Sequence, residues 1–257
     1  MNIIYFAGGN RLETLEYITK SHYFTITQIY VTTIETNLES YKNFAKEYGI
    51  EFILANKKNI LELFNYRNED LLLSVGYRFI IPEAIFSTPP YAINIHPSLL
   101  PKYKGAYSGF AVIKNREKKT GITAHFLDKG IDTGDIINQK VIALNISDSI
   151  VSMGSKLMNI EPEFVLKTLL KIKNKNYKRL KQPIIIDEIV FNEKRIPQDS
   201  EINPSLPLLE LIDEIRACDV ERFPAYFMLE NKKINIKLEF DSPTDITLAE
   251  VLYHTAS

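Results

Sequence analysis

The sequence has little cysteine and no excess of charge of either sign. Cys218 is the single cysteine among 257 residues, so no disulfide can form within the chain, and a reducing compartment is expected. The 31 lysines and arginines nearly balance the 32 aspartates and glutamates, which leaves a formal net charge of -1. Because nucleic-acid-binding surfaces usually carry a basic excess, we expect no nucleic-acid partner.

The sequence also lacks a long apolar run, a basic leader and a metal-ligand spacing. No apolar segment approaches the roughly 18 residues that a membrane-spanning helix needs. Residues 1–6 have no basic region and are soon followed by polar residues, unlike a secretory signal. The four histidines are scattered, at His22, His96, His125 and His254. We therefore expect a cytoplasmic protein with no membrane partner and no metal.

Strand-like and helix-like segments alternate along the first 180 residues. Strands are predicted over residues 3–7, 26–32, 52–55, 70–75, 91–95, 120–127 and 136–144. Helices are predicted over residues 11–20, 38–48 and 60–64, and over 150–160 and 163–173 with Pro162 ending or kinking the chain between them. This alternation is typical of an α/β protein with an open, mostly parallel twisted sheet and helices on both faces.

The composition changes after residue 180. We predict a strand over residues 184–191, a polar linker over 194–207 and a helix over 208–215. Strand-like residues 223–229 and 234–240 flank residues 230–233, as in a β-hairpin. The sequence thus predicts a large domain at residues 1–180 and a small α+β domain at residues 181–257.

Two polar side chains end the fifth predicted strand. Side chains alternate between the faces of a strand, so Asn94 and His96 point the same way. Ligands of open α/β sheets bind outside the carboxyl ends of the strands. A later strand carries His125, and a glycine-bearing loop then carries Asp132. Each of these residues, taken singly, is more often structural, and the combination is what points to chemistry.

The order of these residues resembles the folate-dependent formyltransferases. The motif is Asn-x-His-Pro-Ser-Leu-Leu-Pro, followed 36 positions after the histidine by the aspartate of an Asp-x-Gly loop. The resemblance, strongest over residues 70–140, implies a Rossmann-like formyltransferase domain that uses 10-formyltetrahydrofolate, with Asn94, His96 and Asp132 as catalytic residues. Asn94 would donate to the oxyanion of a tetrahedral intermediate. His96, oriented by Asp132, would act as a base or as an oxyanion-stabilising cation.

The resemblance also assigns binding segments. It places the pterin of the donor against backbone at Phe79, Ile80 and Ile81 and at Asp128, Lys129, Gly130 and Ile131. The turn formed by Gly8, Gly9, Asn10 and Arg11 would approach a phosphorylated amine substrate, with adjacent glycine amides facing a phosphate. His125 is a further candidate near the substrate. Core packing remains open for Ile80, Ile81 and His125, and a plain turn remains open for the two glycines.

The amine that is formylated is predicted from the C-terminal part. Related purine-pathway enzymes end soon after the sheet domain, and initiator-tRNA enzymes carry a longer, basic C-terminal barrel, whereas residues 181–257 show no basic excess. Residues 222–228, followed by Lys232 and Lys233, resemble nucleotide-sugar N-formyltransferases. Phe223 and Tyr226 are then candidates for stacking on a base, although core packing explains them equally well.

The predicted substrate is therefore a nucleoside diphosphate-linked amino-dideoxy sugar, dTDP-linked with a 3- or 4-amino group. Its product would serve lipopolysaccharide or O-antigen synthesis, and we expect a homodimer formed through the C-terminal hairpin. The alternatives are a methionyl-tRNA or glycinamide ribonucleotide formyltransferase, and a non-catalytic folate-binding regulatory module. A non-catalytic module of this kind usually lacks one of the three catalytic residues, whereas Asn94, His96 and Asp132 are all present here. The motif also implies a cis Leu100–Pro101 peptide bond.

Overall fold

A seven-stranded sheet organises most of the chain. The computed structural model of this protein describes residues 1–183 and 195–239. The strands are β1 Asn2–Ala7, β2 Thr25–Thr32, β3 Glu51–Ala55, β4 Leu71–Val75, β5 Tyr91–His96, β6 Lys119–Phe126 and β7 Ile136–Ala143. Their order is β3-β2-β1-β4-β5-β6-β7; the first five strands run parallel, and β6 pairs antiparallel with β5. The predicted mostly parallel α/β fold is confirmed.

The described residues form seven α-helices. They are α1 Leu12–Lys20, α2 Leu38–Tyr48, α3 Ile60–Leu63, α4 Glu83–Phe86, α5 Ser108–Lys114, α6 Ile150–Lys173 and α7 Leu208–Ala217. Helix α2 ends as predicted at Gly49, whose φ of 66° lies in the left-handed region that glycine adopts at little cost. Within the described ranges, no helix combines the length and the apolar character needed to cross a membrane.

Pro162 lies inside α6, so of the two alternatives predicted there, an end or a kink, the end is wrong, and residues 163–173 continue the same helix. A proline in a helix interior removes one backbone donor and costs about 3 kcal/mol. The following turns bury Phe164, Val165 and Leu169 almost completely. Because each buried apolar side chain of this size contributes about 1.5–3 kcal/mol, packing is sufficient to offset the lost hydrogen bond.

The described residues group into two compact units that do not follow chain order. The first comprises residues 1–104, 122–140 and 158–183, and the second comprises residues 105–121, 141–157 and 195–239. The predicted boundary near residue 180 is a division along the chain, and it stays a prediction.

The core of the first unit is built on the central strands. Every residue of β4 is buried, as is every residue of β1 after Asn2. Such near-continuous apolar strands are expected where both faces of a parallel sheet are covered. Phe6 stacks on Tyr30 with ring centroids 4.7 Å apart, and Tyr77 meets the Phe6 ring edge-on at 5.0 Å. Tyr77 belongs to the segment after β4, so this packing fixes the carboxyl end of that strand.

In the second unit, α7 accompanies a two-stranded hairpin. Its strands are β8 Ala225–Leu229 and β9 Lys232–Ile236, and the turn consists of Glu230 and Asn231, with φ values of 47° and 62°. Two consecutive positive φ angles match the two-residue turns that suit strand twist. The four-residue connection predicted over residues 230–233 is therefore too long. The predicted strand over residues 184–191 and the end of the second hairpin strand at Phe240 lie outside the described residues.

Candidate active site

The antiparallel pairing of β5 with β6 brings Asn94 opposite His125. The Asn94 amide nitrogen, Nδ2, lies 3.2 Å from Nε2 of His125. The other ring nitrogen of His125, Nδ1, lies 2.9 Å from the carbonyl oxygen of Phe126. Because a carbonyl oxygen only accepts, Nδ1 carries the proton, and Nε2 accepts from Asn94. His125 therefore fixes the orientation of the Asn94 amide group.

The Asp132 carboxylate lies close to the side chains of His96, Asn94 and His125. Its Oδ2 is 3.2 Å from Nδ1 of His96, and its Oδ1 is 3.4 Å from Nδ2 of Asn94 and 3.3 Å from Nε2 of His125. The Asp132 side chain is 14% exposed and that of His96 is 5% exposed. The three residues that the sequence predicts to be catalytic thus lie together in the first unit, in a largely buried setting where charges interact more strongly than in water.

Gln182 holds the loop that carries Asp132, and sequence reasoning missed it. Its Nε2 donates to the carbonyl oxygens of Asp132 at 2.8 Å and Gly134 at 2.7 Å. Asp132 has a φ of 53°, in the left-handed region that is unfavourable for residues other than glycine. Gln182 lies 50 residues further along the chain, and no spacing rule connects the two positions. The hydrogen bonds from Gln182 help to stabilise the backbone conformation that presents the Asp132 carboxylate.

His96 is enclosed by acceptors at both ring nitrogens. Nε2 lies 2.8 Å from the carbonyl oxygen of Tyr103, and Nδ1 faces the Asp132 carboxylate. Burial lowers the pKa of His96 below its ordinary value of 6.5, while the Asp132 charge and the Tyr103 carbonyl act in the opposite direction. A neutral ring donates at only one nitrogen, whereas the imidazolium donates at both. The site therefore favours the neutral ring at neutral pH and is arranged to receive a proton.

The first predicted folate segment divides between surface and core. Phe79 and Ile80 line an open cavity of about 230 Å³, and Ile80 is 77% exposed. The side chain of Ile81 is buried and packs in the core cluster that contains Phe6 and Ile85. Core packing therefore accounts for the Ile81 side chain. The Ile80 side chain, in contrast, is mostly exposed and is not explained by core packing.

The second predicted folate segment is a loop fastened by its own polar groups. Oδ1 of Asp128 accepts from the Gly130 amide at 3.1 Å and from the Thr133 hydroxyl at 2.7 Å. A Cβ atom on Gly130 would lie 2.0 Å from Oγ1 of Thr133, so any other residue would displace the Thr133 side chain. Lys129 forms an exposed ion pair with Glu83 at 3.1 Å. Ile131, next to Asp132, is partly exposed. These hydrogen bonds fix the backbone conformation of the loop that leads to Asp132.

The turn after β1 uses its amide groups within the protein. The Gly8 amide donates to the Val75 carbonyl oxygen at 3.1 Å, and the Gly9 amide donates to Glu35 Oε2 at 2.9 Å. Arg11 pairs with the buried carboxylate of Glu161 at 2.8 Å. The Asn10 side-chain oxygen accepts from Asn37 at 3.4 Å. These contacts account for the turn as local structure, and its predicted role toward a phosphate stays a prediction.

Glu35 is a second residue that sequence reasoning missed. Its side chain is fully buried and accepts from Gly9 and from Nε of Arg78 at 2.8 Å. Arg78 precedes Phe79, so one carboxylate joins the turn after β1 to the first predicted folate segment. Only the fold brings these residues together, since Glu35 and Arg78 are 43 positions apart.

Phe223 and Tyr226 belong to the second unit. The Tyr226 hydroxyl donates to Oε2 of Glu201 at 3.2 Å, and Lys233 Nζ lies 3.9 Å from the centroid of the Tyr226 ring. Tyr226 is 7% exposed, and the Phe223 ring lies 5.9 Å from the Arg195 guanidinium. Local packing therefore engages both rings, and their base-stacking role stays a prediction. Leu100–Pro101 is cis, which confirms that expectation.

Three comparisons with known proteins bear on this site. The model of the formyl transferase family matches residues 31–169, a range that contains Asn94, His96, His125 and Asp132. A methionyl-tRNA formyltransferase from Caldanaerobacter subterraneus is 36% identical over 137 residues, which are 51% of this chain and 44% of that protein. The chain spans about half the length of the first curated relatives it matches.

Two solved structures match nearly the whole chain. A 4-N formyltransferase from Francisella tularensis superimposes with a TM-score of 0.77 at 23% identity, over 94% of this chain and 98% of its own. WlaRD, a sugar 3N-formyl transferase crystallised with dTDP and 5-N-formyl-THF, superimposes with a TM-score of 0.73 at 27% identity, over 91% of this chain and 84% of its own.

Proposed function

Because this chain belongs to the formyl transferase family, we propose that it transfers a formyl group from 10-formyltetrahydrofolate to the amino group of a nucleoside diphosphate-linked amino-dideoxy sugar. The sugar is dTDP-linked and carries the amine at position 3 or 4. The observation that carries the transfer chemistry is the meeting of Asn94 and His96 at the carboxylate of Asp132. Phe79 to Ile81 and Asp128 to Ile131 would contact the pterin.

The reaction joins the amine nitrogen to the formyl carbon and breaks the bond from that carbon to N10 of the folate. The formyl oxygen carries negative charge in the tetrahedral intermediate. Nδ2 of Asn94 is the donor aimed at that oxygen, and His125 keeps the amide nitrogen in place. In the intermediate, Asn94 would donate to the oxyanion in place of Asp132, whose contact with Asn94 is long, at 3.4 Å. A preorganised donor of this kind contributes about 10²–10³-fold to turnover.

The Asp132–His96 pair takes the proton that the amine loses when it attacks. The lowered pKa of His96 keeps the ring neutral before the reaction. After proton uptake, the imidazolium donates to the Tyr103 carbonyl oxygen and to Asp132, which stabilises it. The proton then passes to N10 of the departing folate. A positioned acid–base pair contributes about 10²–10⁴-fold.

The extent of the structural match supports a sugar as the acceptor. This chain and WlaRD, a sugar 3N-formyl transferase, superimpose over 91% and 84% of their lengths. Residues 1–180 would then hold the catalytic residues, and residues 181–257 would contact the nucleotide and form a homodimer. An N-formyl sugar made in the cytoplasm would serve surface polysaccharide synthesis such as that of O-antigen.

A methionyl-tRNA acceptor is the second candidate, since curated relatives that are 35% and 36% identical over parts of this chain are methionyl-tRNA formyltransferases. The test incubates the purified chain with 10-formyltetrahydrofolate and, separately, dTDP-3-amino sugars, dTDP-4-amino sugars and methionyl-tRNA. We expect a mass increase of one formyl group on an amino sugar. Formylation of the tRNA alone would replace the sugar proposal, and no formylation of any amine with an intact, folded protein would reject formyl transfer.

A further inference from the structure

The end of α6 and the segment after it carry a concentrated positive charge. Residues 171–181 contain five lysines and one arginine and no aspartate or glutamate. All six basic residues are exposed. Arg179 pairs with Asp135 at 2.9 Å, whereas none of the five lysines forms an ion pair with a carboxylate among the residues that the structure describes. The segment therefore presents five lysine charges that no neighbouring carboxylate neutralises.

Contacts with neighbouring elements hold this segment against the first unit. Lys173 Nζ donates to the carbonyl oxygen of Tyr23 at 3.1 Å and lies 5.6 Å from the centroid of the Tyr23 ring. Lys171 Nζ donates to a side-chain oxygen of β7 at 3.1 Å. Leu180 pairs with Ile136, at the start of β7, through backbone hydrogen bonds of 2.8 Å and 2.9 Å. Residues 171–181 and Tyr23 thus form one continuous surface, which we call the basic surface.

Two large side chains are exposed among these charges. Leu180 is 56% exposed and Tyr23 is 53% exposed. Tyrosine is enriched where a membrane meets water, because its ring is apolar and its hydroxyl is polar. An anionic bilayer offers both negative charge for lysines and an apolar layer for such side chains. A nucleic acid offers negative charge and bases for stacking but no apolar layer for Leu180, so the basic surface is better suited to a bilayer.

We propose that the basic surface binds the protein to the face of a bilayer that contains anionic phospholipid. The lysines contact the lipid phosphates, while Leu180 and Tyr23 enter the headgroup region. Such binding needs no membrane-spanning helix, so it revises the expectation of no membrane partner, which followed from the lack of a long apolar run. Membrane binding of this kind is separate from the proposed function and does not depend on which amine is formylated.

The test measures co-sedimentation of the purified chain with two kinds of vesicle. One kind is phosphatidylcholine alone, and the other holds phosphatidylcholine and phosphatidylglycerol in about equal parts. We expect binding to the anionic vesicles only, and weaker binding at high salt, because salt screens exposed charges. Each lysine near an anionic surface contributes about fivefold to partitioning. The triple variant Lys171→Gln, Lys175→Gln, Lys178→Gln should therefore bind about tenfold to one hundredfold more weakly, and arginine at these positions should retain binding.

The matched control is Lys42→Gln with Lys46→Gln and Lys118→Gln. It removes three exposed lysines that do not belong to the basic surface and changes the net charge by the same amount. We expect it to bind anionic vesicles as the wild-type protein does. Leu180→Gln keeps every charge, and its binding should weaken by about threefold to tenfold because an apolar side chain no longer enters the bilayer.

Equal binding of the wild-type protein to both kinds of vesicle, or binding to neither, would overturn this inference. Undiminished binding of the triple glutamine variant, with its fold confirmed by circular dichroism, would also overturn it. Binding of a single-stranded RNA oligonucleotide without binding of anionic vesicles would assign the basic surface to nucleic acid instead. Formylation of a soluble amine should be unchanged in the triple variant, so loss of vesicle binding is distinguishable from damage to the active site.

Discussion

His125 accepts a hydrogen bond from the amide nitrogen of Asn94 at 3.2 Å, across two antiparallel strands. The tautomer that makes this possible is set by the Phe126 carbonyl oxygen, which holds the ring proton on Nδ1. His125 is thus a positioning residue for the proposed oxyanion donor. This relation explains a histidine for which the sequence alone allowed either a core or a site role.

Replacing Asn94 and His125 should lower turnover by different amounts. Asn94→Ala removes the proposed oxyanion donor, and we expect kcat to fall about 10²–10³-fold. His125→Ala removes only the acceptor that orients it, and a hydrogen bond between neutral groups is equivalent to about tenfold at most. Steady-state kinetics with the formylated folate and the preferred amine measure both. His125→Gln, which can still accept, is the control, and equal losses for Asn94→Ala and His125→Ala would contradict the assigned roles.

The His96 ring should titrate below its ordinary value. Burial lowers the pKa of His96, and the Asp132 carboxylate opposes this effect. We therefore expect a pKa below 6.5 in the wild-type protein and a still lower pKa in Asp132→Asn, measured from the imidazole proton shifts by NMR. Asp132→Asn should also reduce kcat by about 10²–10⁴-fold. A pKa above 6.5 in the wild-type protein would show that the carboxylate dominates over burial.

The same shift makes stability depend on pH. The unfolded chain protonates His96 near pH 6.5, whereas the folded chain keeps the ring neutral to lower pH. The unfolded state therefore binds more protons between these two values, and the free energy of unfolding falls as pH drops from about 6.5 toward the folded pKa. Denaturation at several pH values should show that His96→Gln lacks this loss. Parallel curves for the two proteins would contradict it.

Gln182 should affect catalysis although it is remote in sequence from the catalytic residues. Gln182→Ala removes two hydrogen bonds to the Asp132 loop, and we expect kcat to fall about tenfold to one hundredfold. Gln182→Glu keeps the shape but places a carboxylate against two carbonyl oxygens, so its loss should be larger. The NMR readout is a lower pKa of His96, because Asp132 moves away from the ring. Reduced stability with an unchanged His96 pKa would indicate a merely structural role.

Variants of the Arg11–Glu161 ion pair can distinguish a structural role of the turn after β1 from a role in substrate binding. Among the described residues, Arg11→Met leaves the buried Glu161 carboxylate accepting only from the Thr14 hydroxyl, and breaking such a pair should cost about 3 kcal/mol of unfolding free energy. Burial already raises the pKa of Glu161, and Arg11 opposes this rise. The variant's deficit should therefore shrink as pH falls and Glu161 takes up a proton.

The matched control for this pair is Arg11→Met combined with Glu161→Gln, which removes both charges. We expect it to recover most of the stability, as measured by chemical denaturation. A KM for the phosphorylated amine that stays raised in this recovered variant would support the predicted phosphate contact of Arg11. Normal KM with restored stability would assign Arg11 to the fold alone.

Much of the sheet could be predicted because buried parallel strands are nearly continuous apolar runs. β1 and β4 follow this rule, and so their positions were predicted to within two residues at either end. The predicted end of the helix at Pro162 was wrong because local propensity opposes a continuous helix, whereas the burial of Phe164 and Val165 favours one. Rules based on local sequence do not include the free energy gained by burying these side chains.

The sequence by itself determined which residues carry the proposed chemistry. Alternation along β5 puts Asn94 and His96 on one face, and the family motif adds Asp132. Only the tertiary structure decided how they are held, by the tautomer of His125 and by the Gln182 hydrogen bonds. The physical reason is that side-chain direction follows from the local backbone period, whereas a hydrogen-bond partner 31 or 50 residues away is chosen by the packing of the whole unit.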